Sequence, residues 1–141
     1  MKILIYGAGF IGSIFGYFLK TGGNEINILA RGKRIEELKG NGIIIYDEIY
    51  KKEYQTEIEV VDQLSPEEYY DVVLIIMPRH QTSTILPILA KNTKIPTYVF
   101  IGNNVSGSNE YEQVLGKDRI LLGFEEPGGY RDNGKVIAAL W

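Results

Sequence analysis

The sequence predicts an α/β domain, a doubly wound and mostly parallel sheet with helices on both faces. Three observations carry that expectation. Short apolar runs alternate with segments of helical period along the chain. Residues 72–77 form an unbroken apolar run, the mark of a central parallel strand covered on both faces. A glycine cluster separates the first apolar run from the first helical segment.

The elements follow in order. Residues 3–6 are apolar and stop at glycine, so they read as a buried strand. Ile11, Ile14, Phe15, Phe18 and Leu19 recur at helical spacing, and Gly22 and Gly23 end that helix. Residues 26–30 read as a second strand. Residues 35–39 read as a short helix closed by Gly40 and Gly42. Residues 43–46 and 50–54 are expected to pair as a hairpin around Asp47 and Glu48. Tyr46, Tyr50 and Tyr54 within it are spaced to line one face, as packing rather than as a stacking platform for bases. Residues 57–61 are a further strand. Residues 81–90 read as a helix despite Pro87 inside it. Strands at 97–101 and 119–124 flank a short helix at 109–115, residues 125–134 read as a loop, and residues 136–140 as a last edge strand. The chain shows no internal repeat, linker or low-complexity segment.

A length of 141 residues with 45% hydrophobic content suits one domain with a real core, here residues 1–141. The net charge of −3 supplies no basic field for nucleic acid or an anionic membrane. The absence of cysteine excludes disulfides, thiol catalysis and cysteine-ligated zinc, and no metal site is expected. It is consistent with a reducing compartment, and the expected location is cytoplasmic. Residues 3–19 carry no charge behind Met1 and Lys2, in the manner of a signal peptide. The run is shorter than the roughly 20 residues that span a bilayer, however, and glycines 7, 9, 12 and 16 break it. The apolar end at Trp141 reads as a chain cut inside a larger fold, the alternative being an edge strand that ends there.

The chemistry is carried first by Gly7, Ala8, Gly9, Phe10, Ile11 and Gly12, a G-x-G-x-x-G turn directly between a strand and an amphipathic helix. Gly7 permits the tight turn, Gly9 lets a pyrophosphate approach the backbone, and Gly12 lets the helix pack on the sheet. The helix N-terminus offers free N–H groups and a positive dipole end. This is the fingerprint of a Rossmann-type dinucleotide site; the bland alternative is a glycine-rich turn without a ligand.

The end of the second strand then speaks to which dinucleotide. An NAD site places an acid there to hold the ribose hydroxyls. The sequence instead reads Leu29, Ala30, Arg31, Gly32, Lys33, Arg34. Arg31 can pair bidentately with a 2′-phosphate, so the expected cofactor is NADP (NADPH). The alternative, a solvated basic helix start, places cations where a helix dipole disfavours them.

Ligands of such sheets bind beyond the carboxyl ends of the strands. Pro78, Arg79, His80 and Gln81 follow the central run, and Asn103 and Asn104 follow the next strand. His80, the only histidine, is more readily a surface or capping residue than a proton carrier. Asn103 and Asn104 read equally well as turn residues and as contacts to nicotinamide or substrate.

With these residues in hand, the chain resembles the N-terminal domain of the ketopantoate reductase (2-dehydropantoate 2-reductase) family. The resemblance runs from Met1-Lys2-Ile3 through the glycine turn and Leu29-Ala30-Arg31-Gly32 to Leu38, Asn41-Gly42, Gln81 and Asn103 before Val105. It implies that the glycine turn and Arg31 hold NADPH, and that Gln81 and Asn103 lie near the nicotinamide and substrate. Two positions depart from the family pattern. Pro78 stands where a lysine is usual, and Asn104 stands where glycine usually follows the asparagine. The resemblance also implies a helical C-terminal substrate domain, supplying the lysine acid, that these residues do not contain.

The resulting expectation is the cofactor-binding part of an NADP-dependent oxidoreductase of pantothenate biosynthesis, which reduces a small 2-oxo acid such as ketopantoate. The isolated 141 residues are expected to be inactive, and no catalytic residue is identified within them. The alternatives are a stand-alone NADP-binding sensing module and a dehydrogenase for another small substrate.

Overall fold

A computed structural model describes residues 1–102 and 104–140. Its elements are β1 (Lys2–Tyr6), α1 (Phe10–Thr21), β2 (Glu25–Leu29), α2 (Lys33–Asn41), β3 (Ile43–Asp47), β4 (Lys52–Thr56), β5 (Glu59–Val61), β6 (Val72–Ile76), α3 (Arg79–Ala90), β7 (Tyr98–Ile101), α4 (Asn109–Leu115), β8 (Ile120–Gly123), β9 (Gly129–Asp132) and β10 (Lys135–Ala138). Six strands form one sheet in the order β5-β2-β1-β6-β7-β8. Every pairing in it is parallel.

Alternation along the central strands builds two cores. In β1, Leu4 and Tyr6 join Val73, Ile75, Tyr98 and Phe100 under α3 and α4. Ile3 and Ile5 face the other way and join Ile14, Ile26, Ile28 and Leu38 from α1, β2 and α2. Helices therefore cover both faces, as a doubly wound sheet requires. On the first face the Phe100 and Tyr111 rings stack at 3.9 Å and fasten α4 to β7.

A second sheet of four strands, in the order β4-β3-β10-β9, packs over the outer side of α1. Gly16 marks that contact, because a Cβ there would stand 2.8 Å from the Ile43 side chain and 3.4 Å from Ile5. The helix is thus held close between β3 and β1, where a Cβ would require the Ile43 side chain to shift. Among the described residues, no helix is long and apolar enough to cross a membrane.

Three expectations are corrected here. The last strand is not at an edge: β10 pairs with β3 on one side and β9 on the other, and Val136 and Ala138 are fully buried in the second core. The expected loop at 125–134 contains strand β9, joined to β10 by Asn133 and Gly134 at φ 47° and 78°. Positive φ at both central residues makes this a two-residue type I′ hairpin. The three tyrosines do not line one face. Tyr54 opposes Ile45 and packs on Tyr17, Tyr46 opposes Glu53, and Tyr50 lies exposed in the four-residue turn held by Asp47.

Candidate functional site

The strand order reverses between β1 and β6, and the glycine turn and the residues after β6 meet at that point. The turn's conformation follows from close approaches. Gly7 has φ 129°, and a Cβ on it would lie 2.1 Å from the Ile76 carbonyl oxygen. A Cβ on Gly12 would lie 1.9 Å from the Gly7 carbonyl oxygen. Gly9 differs from both, since a Cβ there meets nothing within 4 Å. No packing demand explains the glycine at position 9, which opens instead onto two clefts.

The first cleft, about 350 Å³, lies on the β2 side and is lined by the turn together with Ala30, Arg31, Arg34, Gln81 and Arg131. The second, about 400 Å³, lies on the β7 side and includes Phe10, Ile11, Gly12, Ile101, Gly102 and Glu125. Both share Gly9, Ile76, Met77 and Pro78, so together they form one trough across the switch point. Each falls within the range typical of small-molecule sites. The first helical bond of α1 runs from the Ser13 N–H to the Gly9 carbonyl, leaving the N–H groups of Phe10, Ile11 and Gly12 outside the helical ladder. The first turn of α1 carries no acidic residue. The site therefore presents free donors and a positive dipole end to an anion.

The cations of residues 31–34 separate. Arg31 is exposed at the mouth of the first cleft. Lys33 points to solvent, 3.9 Å from Glu37. Arg34 is buried and acts as a clasp. Its Nε donates to the Ala8 carbonyl at 3.0 Å, Nη2 to Ser13 Oγ at 2.8 Å, and Nη1 to both Glu37 Oε2 and the Gly134 carbonyl at 3.0 Å. Burial pulls the Arg34 pKa down, opposed by the Glu37 hydrogen bond and reinforced by the nearby Arg131 charge. The glycine turn, α1, α2 and the β9–β10 turn thus converge on one guanidinium.

The remaining site residues are sorted as follows. Gln81 lines the first cleft from the first turn of α3. Arg79 reaches across to α4, donating to the Gly107 carbonyl at 3.3 Å and lying over the Tyr111 ring. His80 is exposed and lines neither cleft. The Asn104 amide donates to the carbonyls of Phe100, Gly102 and Gly123, which ties the ends of β7 and β8 together and identifies it as a turn-holding residue. Asn103 lies outside the described residues.

Sequence reasoning missed Arg131 and Glu125. Both fall in the segment read as a loop, far along the chain from the glycine turn. Glu125 Oε2 is shielded from solvent with no hydrogen-bond partner among the described residues, at the edge of the second cleft.

Comparison with known proteins gives the family and the fold. Residues 3–139 match the family model described as ketopantoate reductase PanE/ApbA. A 2-dehydropantoate 2-reductase of Pyrococcus horikoshii is 29% identical over 140 residues, covering 97% of this chain and 42% of the relative. An uncharacterized oxidoreductase of Bacillus subtilis, YkpB, is 28% identical over 130 residues, covering 87% of this chain and 40% of the relative. Among solved structures, the 2-dehydropantoate 2-reductase of Geobacter metallireducens superposes with a TM-score of 0.86 at 19% identity, over 100% of this chain and 47% of that one. A D-mandelate dehydrogenase with NADH and anilino(oxo)acetate gives 0.84 at 22% identity, over 98% and 45%. The chain spans about two-fifths of the length of these curated relatives. By its match over nearly its whole length, the chain belongs to the ketopantoate reductase family of oxidoreductases.

Proposed function

We propose that this chain is the NADP-binding part of an NADPH-dependent 2-oxo acid reductase, with ketopantoate or a close analogue as substrate. One observation carries the reading. Gly9 opens without steric need onto a cleft that holds Arg31 and no acidic side chain among its described lining. That is the chemistry of a pyrophosphate on a helix N-terminus beside a 2′-phosphate on a guanidinium.

In this reading the α1 N–H groups and Gly9 hold the pyrophosphate, and Arg31 holds the 2′-phosphate. Met77 and Pro78 form the floor between the two clefts. The family resemblance implies that Gln81 and Asn103 contact the nicotinamide or substrate, and Gln81 lines the first cleft. The Glu125 carboxylate, short of a donor, suits a hydroxyl or amide of the bound cofactor. When bound, NADPH would supply a hydride to the substrate ketone. The protein contributes orientation, exclusion of water and electrostatics.

The relatives are more than twice as long as the matched region, which leaves room in the whole protein for the helical substrate domain that the family resemblance implies. Without it the lysine acid that the family resemblance implies is missing, Pro78 stands where the family usually has a lysine after the central strand, and the exposed His80 lines neither cleft. A positioned acid is worth about 10²–10⁴ in rate. The 141 residues are therefore expected to bind NADPH without ketopantoate-dependent oxidation, as read by nicotinamide absorbance. Turnover near one per second, an ordinary enzymatic rate, would overturn this. Pro78 and Asn104 also favour a second reading, a reductase of the same type for a different small 2-oxo acid; a substrate panel on the full-length protein separates the two.

The cofactor site is tested by Arg31→Ala. The substitution should cost about 1.5–3 kcal/mol of NADP binding, the range for a hydrogen bond to a charged group, and leave NAD binding nearly unchanged. Equal losses for both nucleotides would remove Arg31 from the 2′-phosphate.

A further inference from the structure

We propose that Arg131, which lines the first cleft together with Arg31, is a second cation for the cofactor's 2′-phosphate, contributed by the second sheet rather than by the dinucleotide-binding sheet. The inference rests on the NADP-binding reading of this cleft.

The charge distribution motivates it. Three guanidiniums, those of Arg31, Arg34 and Arg131, line the first cleft, and no carboxylate does among the described residues. Arg34 is satisfied by Glu37 and three oxygens of the fold. Arg31 and Arg131 take part in none of the described ion pairs. Arg131 lies near enough to Arg34 to depress its pKa, so the two charges act on each other. Like charges gathered around one cleft repel each other until an anion enters. A phosphate monoester carries close to two negative charges at neutral pH, enough for two guanidiniums.

The position of Arg131 is set by the fold. In the β9–β10 hairpin Arg131 pairs with Val136, which is fully buried, so both side chains start from the same face of the sheet. The hairpin is fastened at both ends. At Gly129, β9 runs so close to the first residue of α1 that a Cβ would fall 2.4 Å from the Phe10 ring. At Gly134, the turn carbonyl accepts from Arg34 at 3.0 Å. Arg131 lies between these attachments, one to the phosphate-binding helix and the other to the helix that follows Arg31.

Nucleotide titrations of the folded chain and its variants test the assignment. The probes are NADP, NAD and adenosine 2′,5′-bisphosphate, which carries the extra phosphate without nicotinamide. Arg131→Ala should weaken NADP and the bisphosphate tenfold or more and change NAD by less than twofold. Arg131→Lys should recover part of the loss, and circular dichroism should show both variants folded. Retention of NADP affinity in Arg131→Ala while Arg31→Ala loses it would overturn the proposal and leave the cofactor reading intact. Equal loss of NADP and NAD would overturn it by moving Arg131 to the bridging pyrophosphate. Failure of the unmodified chain to bind any of the three probes would overturn the cofactor reading and this proposal together.

Discussion

Arg34 shows how far a residue's role can depart from its place in the sequence. In one dimension it belongs to a cation cluster with Arg31 and Lys33 and suggests a phosphate patch. Because α2 begins at Lys33, its side chains leave the helix in different directions, Lys33 toward solvent and Arg34 into the wall of the first cleft, while Arg31 stays exposed before the helix. Arg34 turns inward and holds four segments. Arg34→Ala would leave the Ala8 and Gly134 carbonyls and Ser13 without their shared donor. We expect a loss of about 3 kcal/mol in urea unfolding, typical of removing one member of a buried charged network. Arg34→Lys should restore only part, since an ammonium cannot reproduce the planar fork. A change below about 0.5 kcal/mol, the level of a neutral surface substitution, would contradict the clasp. The buried tyrosines give a second test at this scale. Burial raises the pKa values of Tyr70, Tyr98 and Tyr111. The folded state thus holds these protons more tightly than the unfolded state, and their contribution is fully present below about pH 10, the ordinary tyrosine value. It is lost as pH rises through the raised folded values. The urea midpoint should therefore fall on alkaline titration, and less steeply in Tyr111→Phe; identical slopes would contradict the assignment.

At the level of elements, the glycine turn divides into positions with opposite expectations. Gly12→Ala places a Cβ 1.9 Å from the Gly7 carbonyl oxygen, so strand and helix must separate. It should destabilise the fold by about 1–3 kcal/mol or more, as overpacking does. Gly9→Val puts its Cβ into open space, with nothing within 4 Å. It should leave the unfolding midpoint within about 0.5 kcal/mol, as for surface substitutions, and abolish dinucleotide binding. Normal binding by Gly9→Val would place the phosphates elsewhere. Much of this was legible in the sequence, because strand-to-helix transitions impose local spacing that glycine and apolar periodicity record. The β9–β10 hairpin was not read, although Asn133-Gly134 is a strong type I′ signal. Its flanks carry Arg131, Asp132 and Lys135, so the apolar alternation that marks a strand is weak on the β9 side. Arg131 and Glu125 were lost with it.

At the scale of the whole molecule, the trough exists because two sheets share α1. One supplies the glycine turn and the strand-order reversal, and the other carries Arg131 to the same cleft. The order β5-β2-β1-β6-β7-β8 depends on pairings between residues far apart in sequence, such as Ile3 with Val72, which local patterns do not specify. The doubly wound class was nevertheless legible, since parallel strands need helical crossovers and the alternation of the two periods is local. Of the second sheet only the β3–β4 hairpin was legible, because β10 reads as an edge until its two partners are known. On the proposed reading, this assembly forms an NADP-selective dinucleotide site. Calorimetric titration of the 141-residue chain with NADPH and with NADH tests it most directly. NADPH should bind at least tenfold tighter, about 1.4 kcal/mol; equal affinities, tighter NADH, or no binding of either would contradict the NADP-selective site.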